Sequence, residues 1–449
     1  MPYVPHTAED VRRALDAIGV DHVDDLFRDV PAAILDPELD LPAPLDEVGV
    51  LAHLDALAAR DQKGVPTFLG GGVRKHFLPS VTTRLAFQSE FVTAYTPYQP
   101  EVAQGVLQAT FEYQTMMSEL TGLPHSNASM YDGATAVAEA ALLAVRQTRR
   151  ETVVVSRGVH PETRAVLRTY LDPIGVAIET VDLADDLTTA EVEVGDHVAA
   201  LIVQNPNHLG YLEAMPAFGA AAHAAGALFV AVVDPLTLAV LRDPGSYGAD
   251  VAVGDGQTLG VPMQFGGPAF GFMVVTEALL RQLPGRLVGQ TKDVDGKRAF
   301  VLTLQAREQH IRRAKAKSNI CSNHQLTALL AAINLAAVGP QGLREMAEGS
   351  ARRGHRTADA IAAAGGRVRR EAPFFNEFVL RTTADGASVR RALAERGVRA
   401  GVPVAPEYGL GSAVTLAATE LTTDADIAAL IAALGAIGEL AERRAEVSA

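Results

Sequence analysis

Cysteine is almost absent from this chain: Cys321 is the single one among 449 residues, which rules out an intrachain disulfide and leaves too few thiols for a Cys-based zinc site. Lysine is nearly as scarce. Six are present, Lys63, Lys75, Lys292, Lys297, Lys315 and Lys317, and the stretch from 76 to 291 contains none. Arginine cannot replace a lysine amine in a covalent linkage, so that stretch has no lysine to anchor an imine. No long uninterrupted apolar run and no apolar signal-peptide core occur, so the expectation is a cytoplasmic protein without a membrane span. Basic residues are outnumbered, 39 against 53 acidic, giving a formal charge of −14 that disfavours nucleic acid and anionic membranes as partners. There is no internal repeat and no low-complexity linker beyond alanine enrichment.

What is present is apolar and orderly. At 48% apolar residues, the length suffices for a large core and two or three domains. Thr7-Ala8-Glu9-Asp10 reads as a capping box, and residues 1–60 read as a helical arm broken by Pro31, Pro37, Pro42 and Pro44. Such short pieces bury little alone, so the arm is expected to pack on something else. A long amphipathic helix follows, with Val102, Val106, Ala109, Tyr113, Met116 and Leu120 at three- or four-residue steps before Gly122. A second helix starts at Gly133.

Beyond that, apolar strands at 152–156, 197–204, 227–233 and 250–253 alternate with helices, predicting a parallel sheet covered on both faces. A helix near 324–337 leads to strand, helix, strand and helix after 377. The expected division is an arm (1–60), a large α/β domain (61–335) and a small α+β domain (336–449).

Several loops carry chemistry. Ser129–Ala136 opens a helix with Gly133 and Ala134, a setting for an anion as well as an ordinary N-terminus capped by Asp132 or Ser129. Asn205-Pro206-Asn207 and Asp234 close strands at the sheet edge where ligands bind in doubly wound folds. A carboxylate at the position of Asp234 suits a pyridinium nitrogen, and His160 suits stacking on a ring; both also suit plain loop roles. Tyr95, Tyr98 and Gln99 sit in a proline-stiffened loop suited to binding or to packing. The basic run 307–317 reads as a solvated face or as a patch for an acidic partner, and Cys321 as a small buried hydrophobe. GDGQTLG, 254–260, stands between a strand and a glycine-rich bend, where a cofactor lysine would be expected, yet the residue is Gln257.

The segments SEFVTAYTPYQPEVAQG, SMYDGATAVAEA, QNPNHLGYLE, GDGQTLGVPMQFGGPAFGF and AKAKSNICSNHQ closely resemble the α subunit (subunit 1) type of glycine dehydrogenase (decarboxylating), the P-protein of the glycine cleavage system. The resemblance extends from YVPHT to the last helix. It implies the type I, aspartate-aminotransferase-like fold of pyridoxal-phosphate enzymes and a partner β subunit that binds pyridoxal phosphate on its own lysine. It also implies lipoylated H-protein as a further partner and no cofactor bound covalently here. Matching the family's proline to Pro262 and its glycine run to Gly266-Gly267-Pro268 puts Gln257 at the lysine position. The same match moves the ring-pairing aspartate towards Val232, which counts against Asp234.

Gly133, Ala134, His160, Asn205, Asp234 and Gln257 are then positions of a vestigial cofactor site, with no catalytic residue on this chain alone and no metal. Tyr95, Tyr98 and Gln99 become candidates for a substrate channel or interface. The family pattern GAGVYDH is here Gly70–His76, GGGVRKH, so Arg74 and Lys75 have no inherited role. The rival readings are a scaffold or regulatory subunit, and a self-sufficient lyase using Lys292 or Lys315.

Overall fold

Alternate residues of the central strands go to opposite cores. Leu201 and Val203 face one way with Ala231, Val233 and Phe272, while Ala200 and Ile202 face the other with Val230, Val253 and Met273. This is the two-residue period of a strand covered on both faces. The computed structural model describes residues 5–35, 37–61 and 63–440. These form two compact units, Met1–Gly64 and Val65–Ala449.

In the first unit, helix Ala8–Ile18 starts at a capping box in which the Thr7 side chain accepts from Asp10 N and the Asp10 carboxylate accepts from Thr7 N. Helix Glu47–Ala58 buries none of its residues, and Val48, Leu51, Leu54 and Leu57 stay exposed.

The second unit is built on a seven-stranded sheet. Its order is His125–Ser126, Gly271–Val275, Val251–Asp255, Leu228–Val233, Val198–Asn205, Thr152–Ser156 and Ala177–Val181. Neighbours from Val251–Asp255 through Ala177–Val181 are parallel. Gly271–Val275 alone runs against its two neighbours, Val251–Asp255 and His125–Ser126, so the sheet is mixed and mostly parallel, in keeping with the parallel-rich sheet expected from sequence. Fully buried residues make Gly271–Val275 one continuous apolar run, which carries no mark of direction.

Helix Gly133–Thr148 packs Ala136, Val137, Ala140 and Ala144 on one face of the sheet. Helices Met215–Ala224 and Gln325–Ala363 cover the other. The latter is long and apolar enough to cross a bilayer by composition, but Ala328, Ala331, Leu343 and Met346 are spent on the core. It continues well past residue 337. The chain crosses Gly339, which takes a left-handed φ of +62° ahead of Pro340, and resumes the helix as far as Ala363.

A hairpin that the sequence reading did not assign, Leu287–Lys292 with Arg298–Thr303, docks on helix Gln104–Thr121. Gln114 donates to Val288 O (3.0 Å) and accepts from Val288 N (2.9 Å), giving the hairpin edge a side-chain amide for a neighbour.

The C-terminal part holds a four-stranded antiparallel sheet, Arg367–Val368, Glu377–Arg381, Ala413–Ala417 and Val402–Pro403, with its own core around Phe378, Leu380, Leu393 and Leu430. Residues 441–449 lie outside the described residues.

Candidate functional site

Strand order reverses between Thr152–Ser156, whose successor in sequence lies to one side, and Val198–Asn205, on the other side. Such a switch point splays the following loops and leaves a crevice at the strands' carboxyl ends. A cleft of about 330 Å³ lies there, lined by residues from distant parts of the chain, among them Gly71–Arg74, Asp132–Ala134, His160, the ends of the strands at Val232–Asp234 and Gly254–Asp255, and Phe375–Glu377.

Each wall has a local cause. Asp132 caps helix Gly133–Thr148, accepting from Thr135 N at 2.8 Å while Thr135 Oγ1 accepts from Asp132 N at 3.3 Å. Gly133 N donates to Asp255 Oδ2 at 3.4 Å, and a side chain at Gly133 would strike the Asp255 backbone at 2.8 Å. Asp255 Oδ1 accepts from Gln257 N at 2.9 Å. Burial, reinforced by the nearby Asp132 and Asp234, pushes Asp255 up to about 6 against the pull of its two backbone donors.

Asp234 is fully engaged: Oδ1 accepts from Thr258 Oγ1 (2.7 Å) and Leu236 N (3.1 Å), and Oδ2 from Arg74 Nη1 (3.0 Å). Arg74 Nη2 reaches Glu377 Oε2 at 2.6 Å, and Gly71 N donates to Glu377 Oε1 at 2.8 Å. Burial alone would raise Glu377, but the Arg74 charge and these donors outweigh it and hold the carboxyl below its ordinary range. The same two carboxylates overcome the burial of Arg74 and keep the guanidinium charged.

His160 Nε2 meets Gly71 O at 3.1 Å, its backbone N donates to Gln204 Oε1 at 2.9 Å, and its ring stands edge-on to His208 at 4.5 Å between centroids. Burial, then the neighbouring His160, brings His208 down to about 4, so it is neutral at ordinary pH.

Of the residues anticipated from sequence, Gly133, Ala134, His160 and Asp234 meet at this cleft. Asn205 turns aside, accepting from Glu213 N at 3.0 Å, and Gln204 and Asn207 line the cleft beside it. Gln257, not itself part of the cleft lining, is buried beside it between Asp255 and Thr258, 5% exposed, with Oε1 accepting from Arg74 N (3.1 Å) and Nε2 donating to Arg74 O (3.0 Å) and Val261 O (2.9 Å). Sequence reasoning missed Arg74, Asp255 and Glu377. The one signal available for Arg74 was its departure from the family loop pattern.

Pyridoxal phosphate does not fit the residues present. The Gln257 amide is already bonded to backbone, the aspartate at the strand end holds a guanidinium, and the helix N-terminus faces two carboxylates. Lys292 and Lys315 are exposed and line no part of the cleft.

Tyr95, Tyr98 and Gln99 lie outside this cleft. Tyr95 is 82% exposed, and Tyr98 packs by its edge on His310 and beneath Arg286. Arg286 is held there by Asn323 Oδ1 at 3.0 Å and the Cys321 carbonyl. Cys321 itself is exposed, not buried as expected: its backbone is tied to Tyr131 and Arg286, which leaves the thiol at the surface.

The family model described as glycine cleavage system P-protein matches residues 1–434. A probable glycine dehydrogenase (decarboxylating) subunit 1 from Moorella thermoacetica is 51% identical, over 97% of this chain and 100% of that protein. One of the same description from Chlorobium chlorochromatii is 47% identical over 97% and 100%. The crystal structure of a glycine decarboxylase (P-protein) of the glycine cleavage system, in inhibitor-bound form, superposes with a TM-score of 0.90 at 56% identity, covering 97% of this chain and 100% of that one. An aspartate aminotransferase from Thermus thermophilus, at 13% identity and a TM-score of 0.56 over 88% and 97%, shares the fold. The architecture is thus that of the pyridoxal-phosphate-dependent aminotransferase class, and the chain belongs to the glycine cleavage system P-protein family, in which it is similar to the proteins named subunit 1.

Proposed function

We propose that this chain is the subunit of a heteromeric glycine decarboxylase that holds no cofactor. In the complex, glycine and lipoylated H-protein become aminomethyl-dihydrolipoyl-H-protein and carbon dioxide, with pyridoxal phosphate bound by the partner β subunit. This chain completes the wall of the partner's site and forms the interface; alone it is inactive. The observation that carries this reading is Gln257, buried and bonded to the Arg74 backbone at the position where the family match puts the cofactor lysine.

The exposed apolar surface supports the interface role. Val81 and Leu85 share one face of helix Ser80–Ala86, and Phe87, Val92, Tyr95 and Val102 follow, all exposed. Clustered exposure of this kind marks a protein–protein contact. Tyrosine joins a broad apolar body to a hydroxyl that bonds across such contacts, which suits Tyr95 and Tyr98 to the rim of a neighbouring site.

The test is to purify the chain alone and with the β partner, add pyridoxal phosphate, and follow release of carbon dioxide from glycine with lipoylated H-protein. Turnover by the mixture, with the partner alone poor, is the expected result. Turnover by this chain unaided overturns the reading.

A further inference from the structure

We propose that Arg74, Asp255 and Gln257 stand, as fixed side chains, in the three polar contacts that pyridoxal phosphate would need in this cleft, and that loop 70–76 is thereby latched across it. The inference rests on the reading that this chain holds no cofactor, and it names what closes the site.

The three contacts are separate. A strand-end carboxylate in this fold class pairs with a cationic ring nitrogen; Val232, where the motif match points, has none, and Asp234, the carboxylate at that strand end in the cleft, pairs with the Arg74 guanidinium at 3.0 Å. A helix N-terminus at a strand edge takes a phosphate on its free N–H groups. Here Asp255 accepts from Gly133 N and Asp132 accepts from Thr135 N, so an entering phosphate meets two negative charges and no free donor on those residues. The amine position holds Gln257, whose amide pairs with both the N–H and the C=O of Arg74 as a neighbouring strand would.

The latch follows from the other ends of these bonds. Arg74 links Asp234, at the end of the Leu228–Val233 strand, to Glu377, the first residue of the Glu377–Arg381 strand in the C-terminal sheet. Gly71 bonds Glu377 through its N–H and His160 through its carbonyl. The loop comes so close that a side chain at Gly70 would collide with the Glu377 carboxylate, and Gly72 takes a φ of +104°. Three buried or half-buried charges are tolerated because each has a partner; removing the cation leaves two carboxylates facing each other without one.

The full chain, alone and in complex with its partner, is the material for the test. Hydrogen exchange is compared between wild type and Arg74→Met, which keeps length and removes charge. Amides of 70–76 and 377–381 are expected to exchange about tenfold faster or more, with the Thr152–Ser156 strand unchanged. Separately, wild type and the triple variant Arg74→Ala, Asp255→Ala, Gln257→Lys are incubated with pyridoxal phosphate and reduced with borohydride. A pyridoxyl adduct at position 257 is expected in the triple variant, with no adduct in the wild-type cleft.

Wild-type exchange rates in Arg74→Met overturn the latch. A folded triple variant that takes no adduct overturns the claim that these side chains exclude the cofactor. If Arg74→Met does not fold, Arg74→Lys keeps a charge that can serve one carboxylate at a time; exchange between wild type and tenfold supports the latch, and wild-type exchange overturns it. Loss of the decarboxylation result with these outcomes intact would sink the functional reading and leave the latch standing.

Discussion

The cleft at the strand ends and the loop from Tyr95 to Gln99 are opposites. In the cleft nearly every polar group has an internal partner: Asp234 accepts three bonds, Glu377 two, Asp255 two, and the Gln257 amide makes three. Around Tyr95 the chain leaves aromatic and apolar surface in solvent. A site that binds keeps groups free for its ligand; a site that has become structure spends them on itself. On our reading, therefore, the inherited pocket now holds the fold together, and the surface loop meets the partner.

The comparison breaks or sharpens under mutation. The largest effect is expected from Glu377→Ala, which takes from the buried Arg74 guanidinium one of its two carboxylates and from Gly71 N its acceptor: a loss of about 3–5 kcal/mol in denaturant unfolding. A loss under 1 kcal/mol would show that the cleft's bonds do little for the fold.

Next comes pH. Asp255 binds its proton more tightly folded than unfolded, so its contribution is present below about pH 4 and is lost as pH rises to about 6, on the order of 3 kcal/mol. Glu377 is depressed and acts oppositely, its stabilisation present above the ordinary carboxylate range and lost as pH falls through its folded value. Asp255→Asn is expected to remove the decline between pH 4 and 6 and leave the acid limb; an unchanged stability profile over that window contradicts the assignment.

Tyr98→Ala removes the edge contact with His310 and the face offered to Arg286, a cost of about 0.5–1 kcal/mol measured by thermal unfolding. Smallest for stability is Tyr95→Phe, within about 0.5 kcal/mol of wild type. It is expected to lower decarboxylation by the reconstituted complex all the same, and unchanged activity would remove the hydroxyl of Tyr95 from the site.

Legibility divides by range. The capping residues Thr7 and Asp132, the apolar strands at 152–156 and 228–233, and the helix beginning at Asp424 lie in windows of a few residues, where periodicity and capping chemistry speak directly. The antiparallel direction of strand Gly271–Val275 was not legible, because a run buried on both faces shows no alternation. The helix beyond Gly339-Pro340 was hidden by its own breaker residues, and Cys321 was misjudged because a thiol's composition says nothing of exposure.

By itself, then, the sequence determined the family, the α/β architecture and a stretch from 76 to 291 without lysine. These depend on residue identity and local order. Only the tertiary structure decided which charges meet in the cleft. Arg74 meets Asp234 across 160 residues and Glu377 across 303, and no local pattern encodes which buried charges will pair once sheet and loop are folded together.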